Sequence, residues 1–373
     1  MAASRTLGAL GLASGLTLGP RPDPATPVAG ITADSRQVRP GWVFAALKGE
    51  RADGALHVPA AVAAGAVAVL TSLDGALRAA EAAGGLAVPC VVDEDPRRRL
   101  ALAAAAFHGG QPATLVAVTG TSGKTSVASF TRQLWAAMGF RAANLGTVGV
   151  EGAATAALSH TTPDPVALHA LLARLAAEGV THAAMEASSH GLAQRRVDGC
   201  RLSAAAFLNL GRDHMDYHAD RADYLAAKLG LFARVLPEGG AAVVNADDPC
   251  APCALDIARS RGQRAISVGR AGALRLLGAA LTPEGQTLRF AWEGCERVAA
   301  LPLVGGFQGM NALCAAALCI GAGTEAGAVF AALPALRGVR GRMERVAALP
   351  NGAEVFVDYA HTPDALAAAL DAL

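Results

Sequence analysis

A strand, a glycine-rich loop and a helix follow one another directly in the first half of the chain, and this segment restricts the fold more than any other. The β-branched run Thr114–Thr119 enters the sequence TGTSGKTS at residues 119–126, and a helical pattern continues from about Thr125 to Met138. Glycines let backbone N–H groups converge on phosphate oxygens, and the helix adds its positive N-terminus. Val118 stands where the usual phosphate loop has its first glycine, so the motif is a shorter variant.

This loop supplies the first candidate site residues. Lys124 is placed to reach the outer phosphates of a nucleotide, and the Thr125 hydroxyl suits Mg²⁺. The nucleotide-binding residues predicted here are Gly120, Thr121, Ser122, Gly123, Lys124, Thr125 and Ser126.

Length and composition narrow the classes of protein. A chain of 373 residues exceeds what one hydrophobic core normally organises, so we expect two or three domains. Hydrophobic residues make up 53% but aromatic residues only 4%, and no uncharged apolar run reaches the length of a membrane span. The net charge is +1 without a basic patch, which argues against nucleic-acid binding and favours a small-molecule substrate.

The cysteines and the N-terminus indicate a reducing, cytoplasmic setting. The seven cysteines are scattered, and the Cys250-Ala-Pro-Cys253 motif has no second pair to complete a zinc site. We therefore expect plain thiols rather than disulfides. Glycines interrupt the apolar stretch of residues 1–20, so we predict a short helix and turn there instead of an export signal.

Strand and helix patterns alternate along most of the chain, which predicts an α/β fold with mostly parallel sheets. Residues 30–92 read as a small α/β unit, residues 95–108 as a helix, and the following Gly-Gly-Gln-Pro as a junction. Buried strands are predicted at residues 183–186, 204–209 and 241–245, which together with the phosphate loop form a nucleotide-binding sheet. Residues 355–359 and 363–373 read as one strand and one helix that open a third domain.

Further polar residues lie at predicted strand ends. Glu186 ends a buried strand on the same edge as the loop, which favours a metal role over a structural one. His214 belongs to the acid- and histidine-rich segment 209–218, which either orients a Mg²⁺-nucleotide or is a polar loop. Residue pattern alone makes Lys228 an exposed helix lysine and His361 a surface residue. Arg342, beside Gly341, could close on a transferring phosphoryl group.

Taken together, these segments resemble the Mur ligase superfamily, and within it the MurE branch of UDP-N-acetylmuramoyl-tripeptide synthetases. The resemblance covers nearly the whole chain in order. Its motifs are Asp34-Ser35-Arg36, Pro40-Gly41, Asp53-Gly54, TGTSGKTS (119–126), Leu145-Gly146-Thr147, Thr161-Thr162-Pro163-Asp164, MEASSHGL (185–192), NLGRDHMDYH (209–218), Asn245-Ala246-Asp247-Asp248, GVRGRME (338–344) and VDYAHTPDAL (357–366).

The resemblance implies a role for each matching residue. Lys124, Lys228, His214 and Arg342 would be catalytic, and Thr125, Glu186, His214 and a carbamylated Lys228 would arrange Mg²⁺. Asn311, Arg342, Asp358 and His361 would surround ATP together with the loop. The UDP-sugar and the muramoyl dipeptide would meet Ala33, Ser35, Glu50, Arg51, Ala52, His160, Thr161, Thr162, Ser188, Gln194 and Arg196.

The implied architecture has three parts. Residues 1–110 would form a small α/β UDP-binding domain, residues 111–336 a parallel-sheet ATPase domain, and residues 337–373 the start of a Rossmann-like ligase domain. Two departures stand out: Phe307-Gln308 replaces the family's Phe-Asn pair, and the Asn-Pro-Arg motif of the family's C-terminal domain is not in the sequence. We therefore expect residues 1–373 to bind substrates but to ligate poorly.

The implied function is addition of a diamino acid to UDP-N-acetylmuramoyl-L-alanyl-D-glutamate in peptidoglycan synthesis, with ATP and Mg²⁺ and through an acyl phosphate. We expect meso-2,6-diaminopimelate as the amine. L-lysine remains an alternative, as does a fragment that only binds substrate and nucleotide. We expect a cytoplasmic monomer without nucleic-acid or membrane partners.

Overall fold

The computed structural model describes residues 5–49, 52–282 and 285–373, which divide into two units. Of these described residues, unit 1 contains those within 5–111, 164–174 and 194–200, and unit 2 contains those within 112–163, 175–193 and 201–373. Within the described residues, no helix is both long and apolar enough to cross a membrane. The three-domain assignment stays a prediction.

Unit 1 is built on a five-stranded sheet in the order β1-β5-β4-β3-β2, in which β2 to β5 are parallel and β1 is antiparallel. Val43 and Ala45 pack in one apolar cluster and Phe44 in another, because successive side chains of a strand point to opposite faces. The elements are β1 (Thr17–Leu18), β2 (Gly30–Thr32), β3 (Trp42–Ala45), α1 (Val58–Ala63), β4 (Ala66–Thr71), α2 (Leu73–Ala83), β5 (Cys90–Val92) and α3 (Pro96–His108).

The sequence analysis is right about most of this unit and wrong about its start. The helix predicted at residues 95–108 is α3, which begins after Asp95, whose side chain caps it. The short N-terminal helix is not found in residues 5–20, which form turns and β1. Glycines in this stretch adopt left-handed backbone conformations that end a helix, as at Gly11 and Gly15.

Unit 2 is built on a ten-stranded sheet in the order β15-β14-β13-β12-β11-β10-β6-β9-β7-β8. The elements in the first half of unit 2 are β6 (Thr114–Thr119), α4 (Lys124–Ala137), β7 (Ala142–Gly146), β8 (Gly149–Gly152), α5 (Pro165–Ala177), β9 (His182–Glu186), α6 (Ser189–Ala193), β10 (Ala204–Phe207) and α7 (Arg221–Gly230). Of these, α5 has residues in both units. The strands β7, β9, β6, β10, β11 and β12 pair in parallel, as the sequence predicts for a nucleotide-binding sheet.

The second half of unit 2 departs from the pattern of parallel strands. Its elements are β11 (Ala241–Asn245), α8 (Ala251–Ser260), β12 (Arg264–Gly269), β13 (Leu274–Thr282), β14 (Gly285–Trp292), β15 (Cys295–Leu301), α9 (Phe307–Gly321), α10 (Ala326–Ala332), β16 (Glu344–Ala348), β17 (Glu354–Val357) and α11 (Pro363–Leu370). An antiparallel meander, β13 to β15, extends the sheet. The predicted last strand is β17, but it is not single, because it pairs antiparallel with β16.

The core of unit 2 fixes the orientation of the phosphate loop. Phe130, Leu134 and Trp135 on α4 are fully buried in the same cluster as the alanine-rich face of α9. Small side chains on α9 let the helix approach the sheet closely. Because α4 is held along its length, its N-terminus stays fixed at the carboxyl edge of β6.

Candidate functional site

The carboxyl ends of neighbouring parallel strands in unit 2 surround a cavity of about 540 Å³. The loop after β6, Glu186 at the end of β9 and Asn209 beyond β10 all line it. Ligands of open α/β sheets bind at this edge because loops from adjacent strands diverge there. The structure therefore brings the sequence-predicted phosphate loop and Glu186 together.

The phosphate loop is held in shape by Asn209. The Asn209 Oδ1 atom accepts hydrogen bonds from the backbone N–H groups of Thr121 (3.0 Å) and Ser122 (2.9 Å), and its Nδ2 donates to the Ser122 carbonyl at 3.1 Å. Gly123 adopts φ +89°, and a Cβ there would approach Asn311 Oδ1 at 2.8 Å. The glycine is thus required both by its left-handed conformation and by the close approach.

Two lysines converge on one backbone oxygen of this loop. Lys124 Nζ donates to the carbonyls of Gly120 and Thr121, both at 2.8 Å, and Lys228 Nζ donates to the same Gly120 carbonyl at 2.8 Å. Burial lowers the pKa of Lys124, while the carboxylates of Glu186 and Asp213 oppose the shift. The structure thus places the Lys124 ammonium against its own loop, and its role in phosphate binding stays a prediction.

Lys228 corrects the interpretation made from residue pattern alone. The side chain is 1% exposed rather than on the helix surface, and it lies 4.3 Å from the centre of the Tyr224 ring. Burial, and then the positive charge of Lys124, lower the pKa of Lys228 well below its ordinary value. The reason for the error is tertiary: α7 packs this face inward against the loop, which an isolated helical pattern does not reveal.

Glu186 is a buried carboxylate surrounded by hydroxyl groups. The Thr147 N–H donates to Glu186 Oε1 at 2.7 Å, while the hydroxyls of Thr125 (3.1 Å) and Thr147 (3.3 Å) donate to Oε2. Burial raises the pKa of Glu186, and the nearby Lys124 opposes this. A Cβ on Gly146 would overlap Glu186 Oε1, so glycine at the end of β7 makes room for the carboxylate.

The oxygen atoms of Glu186 and Thr125 are of the type that binds Mg²⁺, the metal ion expected from the sequence. Among residues 5–49, 52–282 and 285–373, no three His, Cys, Asp or Glu side chains are grouped to hold a metal. Mg²⁺ is usually held by one or two carboxylates together with substrate phosphates and waters. A buried carboxylate with a raised pKa beside the Thr125 hydroxyl matches that donor set, since a cation would favour its ionised form.

Arg342, Asp358 and His361 also reach the cavity. Arg342 Nη2 donates to Thr125 Oγ1 at 3.1 Å, and its guanidinium lies 4.9 Å from the centre of the Tyr359 ring. Asp358 Oδ2 accepts from the Met343 N–H at 2.7 Å, where Met343 has φ +47°. His361 is exposed, as the residue pattern indicates, and its side chain is 59% accessible.

Asn311 and His214 complete the predicted nucleotide set. Asn311 Nδ2 donates to Gln308 Oε1 at 3.0 Å, so the buried glutamine that replaces the family's asparagine orients its neighbour. His214 has φ +55°, and its ring nitrogen Nε2 lies 3.4 Å from Asp213 Oδ2. Burial lowers the pKa of His214, while Asp213 opposes the shift. A neutral imidazole is therefore available to a ligand.

The predicted substrate residues are divided between the two units. Thr161 and Ser188 line the cavity of unit 2, Thr162 is buried and donates to the Glu186 carbonyl at 3.0 Å, and His160 is exposed and pairs with Ser159. In unit 1, Arg196 donates to Gln194 Oε1 at 2.7 Å. Ala33, Ser35 and Ala52 also belong to unit 1, whereas Glu50 and Arg51 lie outside the described residues.

The structure adds residues whose roles the sequence analysis did not assign. These are Thr147, which binds Glu186; Tyr224, whose hydroxyl lies 3.1 Å from Thr121 Oγ1; and Asp248, which accepts from the Leu210 N–H at 3.0 Å. Burial raises the pKa of Tyr224 to about 12, so its hydroxyl keeps its proton. Each follows a strand or faces inward from a helix, and the position of Thr147 just beyond the end of β7 was a usable signal.

Two family models match the chain. The Mur ligase middle domain matches residues 118–319, and the catalytic domain of the Mur ligase family matches residues 27–108. The first match contains the phosphate loop, Glu186, His214, Lys228 and Asn311.

Individual proteins agree with this match. A UDP-N-acetylmuramoyl-L-alanyl-D-glutamate–2,6-diaminopimelate ligase of Bradyrhizobium diazoefficiens is 52% identical over 94% of this chain and 71% of its own length. A solved structure of a ligase with the same name has a TM-score of 0.83 and 29% identity, covering 99% of this chain and 74% of that one. The MurF ligase of Thermotoga maritima in complex with ADP shares the fold, with a TM-score of 0.63, 20% identity, and coverage of 92% and 74%.

Proposed function

The chain belongs to the Mur ligase family, and from this premise we propose that it joins meso-2,6-diaminopimelate to UDP-N-acetylmuramoyl-L-alanyl-D-glutamate with ATP. One structural observation supports the proposal most. Lys124, Thr125 and Glu186 converge at the carboxyl edge of the sheet, in the same cavity as Thr161 and Ser188. A nucleotide's phosphates and a carboxylate substrate can therefore meet in one place.

The proposed reaction has two steps. An oxygen of the D-glutamyl γ-carboxylate bonds to the γ-phosphorus of ATP, and the bond from that phosphorus to the bridging oxygen breaks, which gives an acyl phosphate and ADP. The amine then adds to the carbonyl carbon, phosphate leaves with its electron pair, and the nitrogen loses a proton. Both steps bring anions together, so the main task of the site is positioning and charge neutralisation.

The side chains of the loop edge divide this task. The Lys124 ammonium, now bound to carbonyls of its own loop, can turn to the outer phosphates. The Arg342 guanidinium, hydrogen-bonded to Thr125, lies where it can stabilise charge on the transferring phosphoryl group. Glu186, Thr125 and His214 would hold Mg²⁺, which when bound neutralises phosphate charge and orients the phosphates.

Lys228 is proposed to react with CO₂ and work as a carbamate. Burial lowers the pKa of Lys228, which favours the neutral amine, the form that adds to CO₂ with loss of a proton. The resulting anion would lie beside the Lys124 ammonium, attract it and could join the magnesium site. The chain has three lysines, so with ¹³C-labelled bicarbonate we expect one carbamate carbon signal by NMR that Lys228→Ala removes. A signal that survives in Lys228→Ala would contradict the assignment.

The remaining parts of the proposal concern the amine and the setting. The diaminopimelate ligases among the relatives favour this amine over L-lysine. We place the reaction in the cytoplasm, where ATP and nucleotide-linked precursors are available. The monomeric state remains a prediction.

The test measures tripeptide formation from ATP, the UDP-linked dipeptide and either diaminopimelate or L-lysine. We expect slow product formation with diaminopimelate, in line with the poor ligation expected of residues 1–373, and at least tenfold slower formation with L-lysine. Lys124→Ala should weaken ADP binding by about 10–150-fold, because it removes a charged hydrogen-bond donor to phosphate worth roughly 1.5–3 kcal/mol. Lys48→Ala is the matched control, since Lys48 is exposed and belongs to unit 1.

Two results would contradict the proposal. One is UDP-dipeptide-dependent turnover that Lys124→Ala leaves unchanged. The other is a preference for L-lysine. Circular dichroism of each variant separates loss of binding from loss of folding.

A further inference from the structure

Cys250 and Cys253 stand one turn apart at the beginning of α8. Cys250 is the residue before the helix, and the Cys253 N–H donates to the Cys250 carbonyl at 3.2 Å, which closes the first turn. Cys253 is exposed and Cys250 is partly buried, and both are free thiols. Residues three apart on a helix have Cβ atoms roughly 5–6 Å apart, whereas a disulfide needs about 4 Å, so a small tightening of this turn would join the sulfurs.

The partly buried Cys250 has two charged neighbours, Asp248 and Arg221. Burial, and then the carboxylate of Asp248, raise the pKa of Cys250, while the nearby Arg221 guanidinium opposes the shift. The Cys253 thiol also raises the pKa of Cys250. The exposed Cys253 is therefore the thiol that an oxidant reaches first, and Cys250, one turn away, is the partner that can resolve a mixed disulfide.

The same neighbours connect the cysteine pair to the phosphate loop. Asp248 accepts from the Cys250 N–H at 2.8 Å through Oδ1 and from the Leu210 N–H at 3.0 Å through Oδ2. Arg221 Nη2 lies 3.4 Å from the Leu210 carbonyl. Leu210 directly follows Asn209, whose side chain holds the loop. Two side chains therefore join the first turn of α8 to the residue next to the loop's support.

We propose that Cys250 and Cys253 form a redox-sensitive dithiol, and that its oxidation to an intramolecular disulfide loosens the phosphate loop through Asp248 and Arg221. Oxidation removes the Cys250 thiol near Arg221, and tightening of the turn displaces the Cys250 N–H from Asp248. Both changes weaken the hold on Leu210. Disulfides in reducing compartments are usually transient and sensing, and a bond that strains its turn is easily reduced again.

The oxidant belongs to the class of small-molecule disulfides, of which oxidised glutathione is the example. The exposed Cys253, as thiolate, attacks one sulfur of glutathione disulfide, which forms a mixed disulfide and releases one glutathione thiolate. The Cys250 thiolate then attacks the Cys253 sulfur and releases the second glutathione. In total, two protein thiols lose two electrons and two protons, and one disulfide becomes two thiols.

The experiment treats the full chain with oxidised glutathione, alkylates the remaining thiols and digests with trypsin. Residues 235–259 contain both cysteines of the pair and no internal lysine or arginine, so one peptide reports the disulfide. In oxidised protein, we expect this peptide to remain unalkylated. After reduction, both of its cysteines should become alkylated. Oxidised protein should bind ADP at least threefold more weakly and exchange the amide hydrogens of Leu210 and Gly211 faster.

The variants distinguish this pair from general thiol chemistry. Cys250→Ser should accumulate a glutathione adduct on Cys253. Cys253→Ser should bind ADP normally, and oxidised glutathione should not change its ADP affinity. Cys295→Ser, which removes another exposed thiol on β15, should respond like the parent. Absence of the disulfide would overturn the proposal. So would unchanged ADP affinity or exchange in oxidised protein, or an oxidant effect that persists without both cysteines. The disulfide and exchange results do not depend on the ligase reaction, so failure of that reaction would be seen separately.

Discussion

At the scale of a single residue, burial of the Glu186 carboxylate destabilises the folded protein but leaves a group that can bind a cation. The carboxylate is 2% exposed, and the groups around it are hydroxyls, one backbone N–H and the Lys124 ammonium. Burial disfavours its ionised form and raises its pKa. The folded protein thus carries a cost at neutral pH that a bound cation would relieve.

Replacement of Glu186 by glutamine should therefore stabilise the free protein and abolish ligation. Because the folded state holds the Glu186 proton more tightly than the unfolded chain, stability falls as the pH rises from the ordinary pKa of 4.5 through the raised value. Glu186→Gln removes this loss, so its melting temperature should exceed the parent's at pH 7.5 and approach it near pH 4. Thermal melts across this pH range, without nucleotide or metal, measure the difference. A variant less stable than the parent at pH 7.5 would show that the carboxylate stabilises the fold.

At this scale, sequence reasoning locates correctly those residues whose place in the cavity follows from their backbone position. Lys124 and Glu186 are predictable because one begins a helix after a glycine loop and the other ends a strand at the same edge. Lys228 is not, because its burial depends on how α7 packs. The Gln308–Asn311 hydrogen bond is likewise a matter of side-chain direction, which the sequence does not specify.

At the scale of elements, the phosphate loop depends on a second loop for its shape. The Asn209 side chain accepts two backbone N–H hydrogen bonds from the phosphate loop and donates one to a loop carbonyl. These three bonds connect the turn after β10 to the turn after β6. Pairing of these strands in parallel places both turns at one edge. Support from a neighbouring strand keeps the loop's N–H groups preorganised for phosphate.

We expect Asn209→Ala to weaken ADP binding by about 10–30-fold while leaving the fold intact. The estimate follows from the loss of three hydrogen bonds worth roughly 0.5–1.5 kcal/mol each, part of which solvent restores. Titration calorimetry gives the affinity, and hydrogen exchange should show faster exchange at Thr121 and Ser122. Asn351→Ala is the control, because Asn351 also accepts a backbone hydrogen bond but lies on the β16–β17 hairpin. Equal effects of the two substitutions would contradict this account.

The elements also show what a single sequence does and does not predict. The runs at β6, β9, β10 and β11 are short, apolar and followed by polar turns, so their strands and parallel order were predictable. The meander β13 to β15 was not predicted, since most residues of β13 and β15 are exposed, unlike the buried strands that the sequence pattern identified. The β16–β17 pairing was missed for the same reason.

At the scale of the whole molecule, the chain consists of two α/β units with separate cores. Unit 2 contains the cavity with the phosphate loop, and unit 1 contains part of the predicted substrate-binding set. The chain spans 71% of the length of its Bradyrhizobium relative. The account rests on one claim about unit 2: its sheet edge activates a carboxylate with ATP.

An oxygen-transfer measurement tests this claim most directly. The γ-carboxylate of the D-glutamyl residue is labelled with ¹⁸O, the UDP-linked dipeptide is incubated with ATP, Mg²⁺ and diaminopimelate, and the released phosphate is analysed by mass spectrometry. If the carboxylate is phosphorylated, each turnover carries one labelled oxygen from substrate to phosphate, and Lys124→Ala abolishes the transfer. Phosphate that is released in step with amide formation but carries no label would contradict the account.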